Sequence, residues 1–523
     1  MKRRKVLGIV AGAASGGVLL NAFTAGAMDT NKIVDDNILN NSVSPNVIYA
    51  SRAGLKLDSN VHTGGGTDET NEIQSILDKA LETGNLHFIM DGAALIRGIN
   101  IHSNTTIECL NSSCGFFLAA QSNRSVIQNA NLNKTGERRD KNITLQGGTY
   151  NQNCKNQVHH LTEQGKEIWV IGMEFYGVEN LTVRDVTIRD QRTFAMLVAN
   201  WYRVNMENIS IELPGYMQAE NQDGIHFWGP GQYLTMRNIQ GTSGDDFIAL
   251  APDENDSVSS ITDVLIDGVF LNNADQGIRL LSRDDGRLDR VIIKNVTGTY
   301  RSFGFYINPF FEGKGGNFGS IVFDTINLQH SKPNYTYTTP FLFRLGGRIE
   351  SLILKNIIHH NPSDARSILD VGWPNSEPKN TCIKSLVVDG LHVYETDNKA
   401  SNASYIKIMA EVGNMVVRDV EIVRSSESEQ KGCLIETFNT GKINTLFMNS
   451  IYANRINSLL LNNGSEIETV QLNNILGSEI GGSLIHVENG NINRINAGNV
   501  FGADLLKLGN GGTVGKVYGE SVL

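Results

Sequence analysis

From about residue 100 the chain repeats one short phrase: apolar, any residue, apolar, then Asn or Asp, then Val or Ile. It reads clearly at Asn180–Ile188 and returns at Tyr202–Ile209, Tyr233–Ile239, Val264–Val269, Val291–Val296, Ile321–Ile326 and Leu352–Ile357. Later copies stand at Leu386–Leu391, Met415–Val420, Leu446–Ile451 and Val470–Ile475. The copies are spaced by roughly 22 to 34 residues, the length of one solenoid coil. Alternating apolar residues mark a strand with one buried face, and the Asn/Asp-Val/Ile step ends one short strand and starts the next around a bend. One coil cannot bury its apolar edge alone, so the copies stack as parallel strands about 4.8 Å apart. No regular helical pattern separates most copies, which speaks against a βαβ sheet or a barrel, and the Leu/Asn phrase of a leucine-rich repeat is absent. The pattern predicts an all-β fold, a single-stranded right-handed parallel β-helix.

The open ends of a solenoid expose unpaired strand edges and need caps. Thr67 to Gly84 supplies one at the N-terminal end. There Ile73, Ile76, Leu77, Ala80 and Leu81 fall on one helical stripe, with Thr67 or Asp68 to cap its start and Gly84 its end. Residues 28–50 are polar and Asn-rich and read as a linker or loose arm. Residues 51–523 read as one β-helix domain, with a catalytic face at about 200–310.

The N-terminus adds the compartment. Met1–Lys5 is basic, Val6–Leu20 is almost free of polar side chains, and Ala25-Gly26-Ala27 offers small residues for cleavage. Residues 1–27 therefore read as a secretory signal peptide, with Arg3-Arg4-Lys5-Val6-Leu7 hinting at its twin-arginine form. A secreted or periplasmic protein is expected, without membrane insertion, since no later stretch has enough consecutive apolar residues to span a bilayer. A net charge of −10 argues against nucleic-acid binding. The five cysteines lack paired C-x-x-C spacing, so no metal site is expected, although Cys109 and Cys114 are close enough in sequence to form a disulfide.

Two phrases break the repeat: Asn221-Gln222-Asp223-Gly224-Ile225-His226 and Ser243-Gly244-Asp245-Asp246-Phe247. Adjacent carboxylates at the head of an apolar strand repel each other unless a cation, solvent or a shared proton relieves them. Asp223 precedes Asp245 by 22 residues, one short coil, so stacking brings Asp223 beside Asp245 and Asp246. Three carboxylates so placed push their pKa values apart, and one can stay protonated for acid/base work. A lone Asp in such a turn equally well satisfies backbone groups. It is the coincidence of the two phrases one coil apart that points to chemistry.

The phrases resemble those of the polygalacturonases and their relatives, glycoside hydrolase family 28, in the pectin-lyase-like β-helix superfamily. The resemblance spans about residues 50–380 and is sharpest at 175–310. Members of that family carry Asn-Thr-Asp, Gly-Asp-Asp, Gly-His-Gly and Arg-Ile-Lys on successive coils. Here Asn221-Gln222-Asp223 stands for the first phrase and Gly244-Asp245-Asp246 matches the second in full. Asp275-Gln276-Gly277 stands for the third, which replaces the histidine by Gln276. Tyr306-Ile307-Asn308 stands for the fourth, which removes both cations that hold a uronate carboxylate in the family. Arg279, with Arg283, Arg287, Arg290 and Arg301 in the same two coils, offers replacement charge, although ion pairs with nearby Asp residues are the simpler role for each. His226 offers an imidazole, and Phe227, Trp228, Tyr306, Phe310 and Phe311 offer sugar-stacking walls or loop packing.

The resemblance implies a polysaccharide-degrading hydrolase that works by inversion without a cofactor. Asp245 is then the general acid, and Asp223 and Asp246 hold and deprotonate the attacking water. Asn221, His226, Gln276, Arg279 and Tyr306 are the expected substrate contacts, and the substrate is a polysaccharide with an acidic group in reach of Arg279. Three other readings stand beside it. A polysaccharide lyase on the same scaffold would recruit Arg279 or Tyr306 as its base. A tailspike-like or adhesive protein would bind glycan without chemistry. An epimerase is the third, but no Asp-Pro-His-Glu phrase supports it.

Overall fold

A computed structural model describes residues 46–215, 221–309, 315–331, 340–360, 367–372, 381–395, 404–425 and 430–519. The expected signal segment 1–27, the part of the expected arm up to residue 45, and the aromatics Phe310 and Phe311 lie outside the described residues. The rest builds one 28-stranded sheet in which strands pair in parallel with their copies one coil away. This is the parallel β-helix that the repeat predicts. A separate two-stranded antiparallel hairpin, His160–Glu163 with Lys166–Trp169, leaves the solenoid on its N-terminal half.

The apolar positions of the phrase face inward and stack on their own kind. Leu234, Met236 and Ile239 lie on Val264, Ile266 and Val269, which lie on Val291, Ile293 and Val296, all of them buried. Aromatics obey the same rule: the rings of Phe305 and Phe343, one coil apart, stack at 4.6 Å. The polar step turns the corner. Asp185, Asn208, Asn238, Asn295, Asn356 and Asn474 hold φ between 52° and 58°, a left-handed bend that Asn and Asp tolerate and β-branched residues resist. Their side chains form ladders along the axis, as where Asn208 Nδ2 donates to Asp185 Oδ1 at 2.9 Å and Asn238 Nδ2 to Asn208 Oδ1 at 3.1 Å. Gly268 and Gly390 take that position where Asn is missing, at φ 82° and 81°.

The N-terminal cap is a helix, Thr70–Leu77, followed by a short second helix, Lys79–Thr83, that ends at Gly84 with φ 77°. Glu69, not Thr67 or Asp68, occupies the N-cap position and makes no side-chain cap bond, while Asp68, one residue before it, accepts the Thr70 amide at 3.2 Å. Ile73, Ile76, Leu77 and Ala80 are buried beneath the cap, but Leu81 is exposed. The helix breaks at Asp78, and Leu81 turns off the stripe. Strand pairing begins ahead of residue 51, since Val47–Tyr49 already pairs with His87–Ile89. Cys109 and Cys114 are free thiols and form no disulfide, and both are buried. No helix among the described residues is long and apolar enough to cross a membrane.

Candidate active site

The two phrases that break the repeat meet at one corner of the coil. Ile225 opens one strand and Asp246 the next, and the two strands pair with Ile225 opposite Ile248. That coil is 23 residues long (248 − 225), one more than the 22 that separate Asp223 from Asp245. Asp223 therefore shares its rung with Asp246, and the Gly224 amide donates to the Asp246 carbonyl at 2.8 Å. Asp245 stands one residue aside, where its Oδ2 accepts the Asn221 amide at 3.3 Å. On the next coil Gln276 pairs with Asp246, and beyond it comes Phe303. Tyr306 lies three residues farther along and pairs with Arg279. The expected site residues thus fall on four successive coils of one sheet, but in two columns. One runs through the carboxylates to Gln276; the other holds His226, Ala249, Arg279 and Tyr306.

The acids sit in unlike surroundings. Asp223 is buried, which raises its pKa, while a hydrogen bond from His226 and the charge of that ring pull it back down. Asp245 is pushed up to about 7, first by burial and then by the charge of Asp223. Burial raises Asp246 as well, opposed by Arg279, whose Nη1 stands 3.6 Å from Asp246 Oδ2. The other Asp246 oxygen, Oδ1, is buried without a partner, as is Oε1 of Gln276. Unpaired buried oxygens are costly, and these two stand on adjacent rungs of one column.

His226 does not point a free imidazole at a substrate. Its Nδ1 lies 2.8 Å from Asp223 Oδ2 and its Nε2 lies 2.8 Å from Glu254 Oε2. Its ring stacks on Phe194 at 4.6 Å. Burial favours the neutral ring, but Glu254 and Asp223 outweigh it and push the pKa up to about 10. The Trp228 indole N–H also donates to Glu254 Oε2, at 2.8 Å. Glu254 is absent from every phrase of the repeat. The one signal that could have found it is position, since it comes three residues after the end of the strand that Asp246 opens.

The arginines divide as their neighbours dictate. Arg279 faces the site, with its guanidinium 5.1 Å from the centre of the Tyr306 ring and its Nε 3.5 Å from Asn308 Oδ1. Arg287 pairs with Asp289 and Glu350, Arg290 with Asp263 and Asp289, and Arg283 with Asp284. Arg301 is buried against Asp275 and the Ser243 carbonyl, where it holds up the turn before Asp245. Phe227 is a core residue packed against Trp201, not a sugar wall. Trp228 does line open space, a cleft of about 660 Å³. Trp169 from the hairpin, Tyr176, Lys134, Glu174 and Glu254 line it too. The Lys134 ammonium sits over both the Tyr176 and Trp228 rings, at 4.9 and 5.1 Å.

Residues 94–268 match the sequence profile of glycosyl hydrolases family 28. That span takes in Asp223, Asp245 and Asp246 and stops short of Gln276, Arg279 and Tyr306, the coils where the chain departs from the family's phrases. No curated relative matches at the level of sequence. Among solved structures, a tailspike protein of E. coli bacteriophage HK620 superposes with a TM-score of 0.56 at 10% identity, over 82% of this chain and 75% of that one. A family 28 exopolygalacturonase of Yersinia enterocolitica gives 0.46 at 13% identity, over 76% and 79%. A surface adhesin of Streptococcus pneumoniae gives 0.46 at 14%, over 84% and 93%. At such identities the likeness is one of fold. The likeness to glycosyl hydrolases family 28 is carried by the profile match over residues 94–268.

Proposed function

We propose that the protein hydrolyses a glycosidic bond of a polysaccharide by single displacement, with inversion. The observation that carries this reading is the corner at which Asp223 and Asp246 share a rung with Asp245 beside them. Asp245 holds its proton to about 7 and can give it to the leaving oxygen. Asp223, fixed by His226, and Asp246, facing Arg279, take the attacking water between them. Unequal surroundings for neighbouring carboxylates are what assign acid and base roles in such sites. No step calls for a metal or cofactor.

The cleft beside Trp228 supports a sugar-binding role next to the acids. Trp169 offers a half-buried ring for a pyranose to pack on, beside Tyr176 and Trp228, whose rings Lys134 covers, and Lys134 and Arg283 add positive charge. Arg279 takes the part of a carboxylate or sulfate contact, since Tyr306 and Asn308 stand where the family's cations would be. A lyase reading draws on one observation, the Arg279–Tyr306 contact, which sets a cation against a phenol within the site. The first-formed anomer, followed by proton NMR on a cleaved oligosaccharide, separates the outcomes. Hydrolysis with inversion gives the opposite anomer to the substrate. Retention, or an unsaturated product, overturns the mechanism.

A further inference from the structure

We propose that Glu254 is a positioning residue: it holds His226 as an imidazolium, and His226 in turn orients Asp223 and opposes its protonation. The inference rests on the catalytic reading of Asp223 but concerns a residue that no phrase of the sequence marks. Its basis is geometric. One carboxylate, one imidazole and a second carboxylate stand in line at 2.8 Å and 2.8 Å. His226 and Asp223 have side-chain exposures of 4% each and Glu254 of 18%, so water does little of this bonding. An imidazole whose two nitrogens both face carboxylates must carry both protons to satisfy them.

The relay is itself braced. Glu254 Oε2 accepts the Trp228 indole N–H. The residue before it, Asp253, accepts the amides of Arg283, Asp284 and Gly286 at 2.7, 2.6 and 3.1 Å, which ties the turn to the next coil. Phe194 stacked on the imidazole fixes the ring plane. Other charges face the relay from both sides. Asp245, Asp246 and Arg279 stand at the Asp223 end, and Lys134, Glu174 and Arg283 line the cleft at the Glu254 end. Asp223 alone would be driven by burial toward its neutral form, which cannot accept a proton from water. A fixed cation against its Oδ2 counters that, and Glu254 is what keeps the cation charged.

The test is a pH titration of the His226 ring by nitrogen-15 NMR of histidine-labelled full-length protein, assigned by the signal lost in His226→Gln. In the wild type both ring nitrogens are expected to stay protonated through about pH 8, well above the ordinary histidine range. In Glu254→Gln the ring is expected to lose a proton near neutrality, at about pH 6.5 to 8. In Trp228→Phe, which keeps the carboxylate, it stays protonated. A wild-type His226 that titrates like a free histidine overturns the proposal with no variant needed, as does a Trp228→Phe shift equal to that of Glu254→Gln. On a cleaved glycan, Glu254→Gln should lower kcat by about tenfold or more while KM moves little, and should raise the acid limb of the pH profile. If no glycan is cleaved the hydrolase reading fails, and the titration still decides the relay on its own.

Discussion

Asp223 shares a rung with Asp246, with the amide of Gly224 bonded to the Asp246 carbonyl at 2.8 Å. Asp245 is left to one side, its side chain accepting the Asn221 amide. The offset is a single residue, yet it gives the three acids different surroundings. Asp223 stands against His226 and Asp246 against Arg279, while Asp245, with neither partner bonded to its side chain, is pushed up to about 7 by burial and the charge of Asp223.

Replacing the proton donor is the first consequence. Asp245→Asn should lower kcat by a factor of about 10² to 10⁴, as for loss of a general acid. Its thermal midpoint should stay within a few degrees of the wild type or rise, because the change removes a group that becomes a buried charge beside Asp223 once it loses its proton. Calorimetry and initial rates on the same preparations check both. A variant that fails to fold would make Asp245 a structural turn residue.

The corner also sets a pH dependence of stability. A carboxyl whose pKa is raised in the fold binds its proton more tightly there than in the unfolded chain. Its contribution is full below the ordinary value of 3.8 and is lost as pH rises, through about 7 for Asp245. Burial gives Asp223 and Asp246 the same direction. Carboxylates held down by cations, such as Asp263 bonded by Arg290, titrate below this window and do not mask it. The thermal midpoint should therefore fall between about pH 5 and pH 7.5, and fall less in Asp245→Asn. A midpoint that rises across that interval contradicts the assignment. The rate should follow the same group, with kcat/KM declining on the alkaline side near about 7, where Asp245 loses its proton.

How much of this is legible in the sequence depends on what the chain repeats. The coil is written into it: Val264, Ile266 and Val269 alternate, and the bends fall on Asn208, Asn238 and Asn295 because few other residues tolerate that φ. The acids are legible for the opposite reason, as places where the repeat breaks. Their register is not, because it depends on a coil of 23 residues where the motif spacing suggested 22. The role of His226 is hidden for a related reason. Its second partner, Glu254, lies 28 residues on, in a turn whose position Asp253 fixes through backbone amides of the following coil. Phe227 and Trp228 show the same limit, since adjacent aromatics of similar character went to opposite sides of one strand, one to the core and one to the cleft.

Arg279 gives a prediction about substrate charge. Its guanidinium already faces Asp246, Asn308 and the Tyr306 ring, so Arg279→Ala removes both an anion contact and the cation opposing Asp246. On an acidic glycan the loss in kcat/KM should correspond to about 2 to 3 kcal/mol, and Arg279→Lys should recover only part of it. Unmodified polygalacturonate should be a poor substrate for the wild type, because Tyr306 and Asn308 offer no cation at the family's position. Unchanged kinetics in Arg279→Ala, or fast cleavage of polygalacturonate, would refute this.

The cleft can be tested apart from the acids. Trp169 comes from the antiparallel hairpin and is only half-buried, with its ring edge on Phe194 at 5.1 Å, so Trp169→Ala should leave the coil stacking in place. It is expected to raise KM by about tenfold, the worth of one ring contact with a sugar, with kcat little changed. A fall in kcat at constant KM would place Trp169 outside the binding surface.

The most direct measurement is a glycan panel of plant, algal and microbial polysaccharides. Wild type and Asp245→Asn are assayed side by side, with new reducing ends and ultraviolet absorbance read together. The account predicts at least one polysaccharide, with acidic groups, from which the wild type releases reducing ends without ultraviolet absorbance and Asp245→Asn releases almost none. Absorbing unsaturated products would make the protein a lyase. Binding that is equal in both proteins, with no cleavage by either, would make it a glycan-binding solenoid.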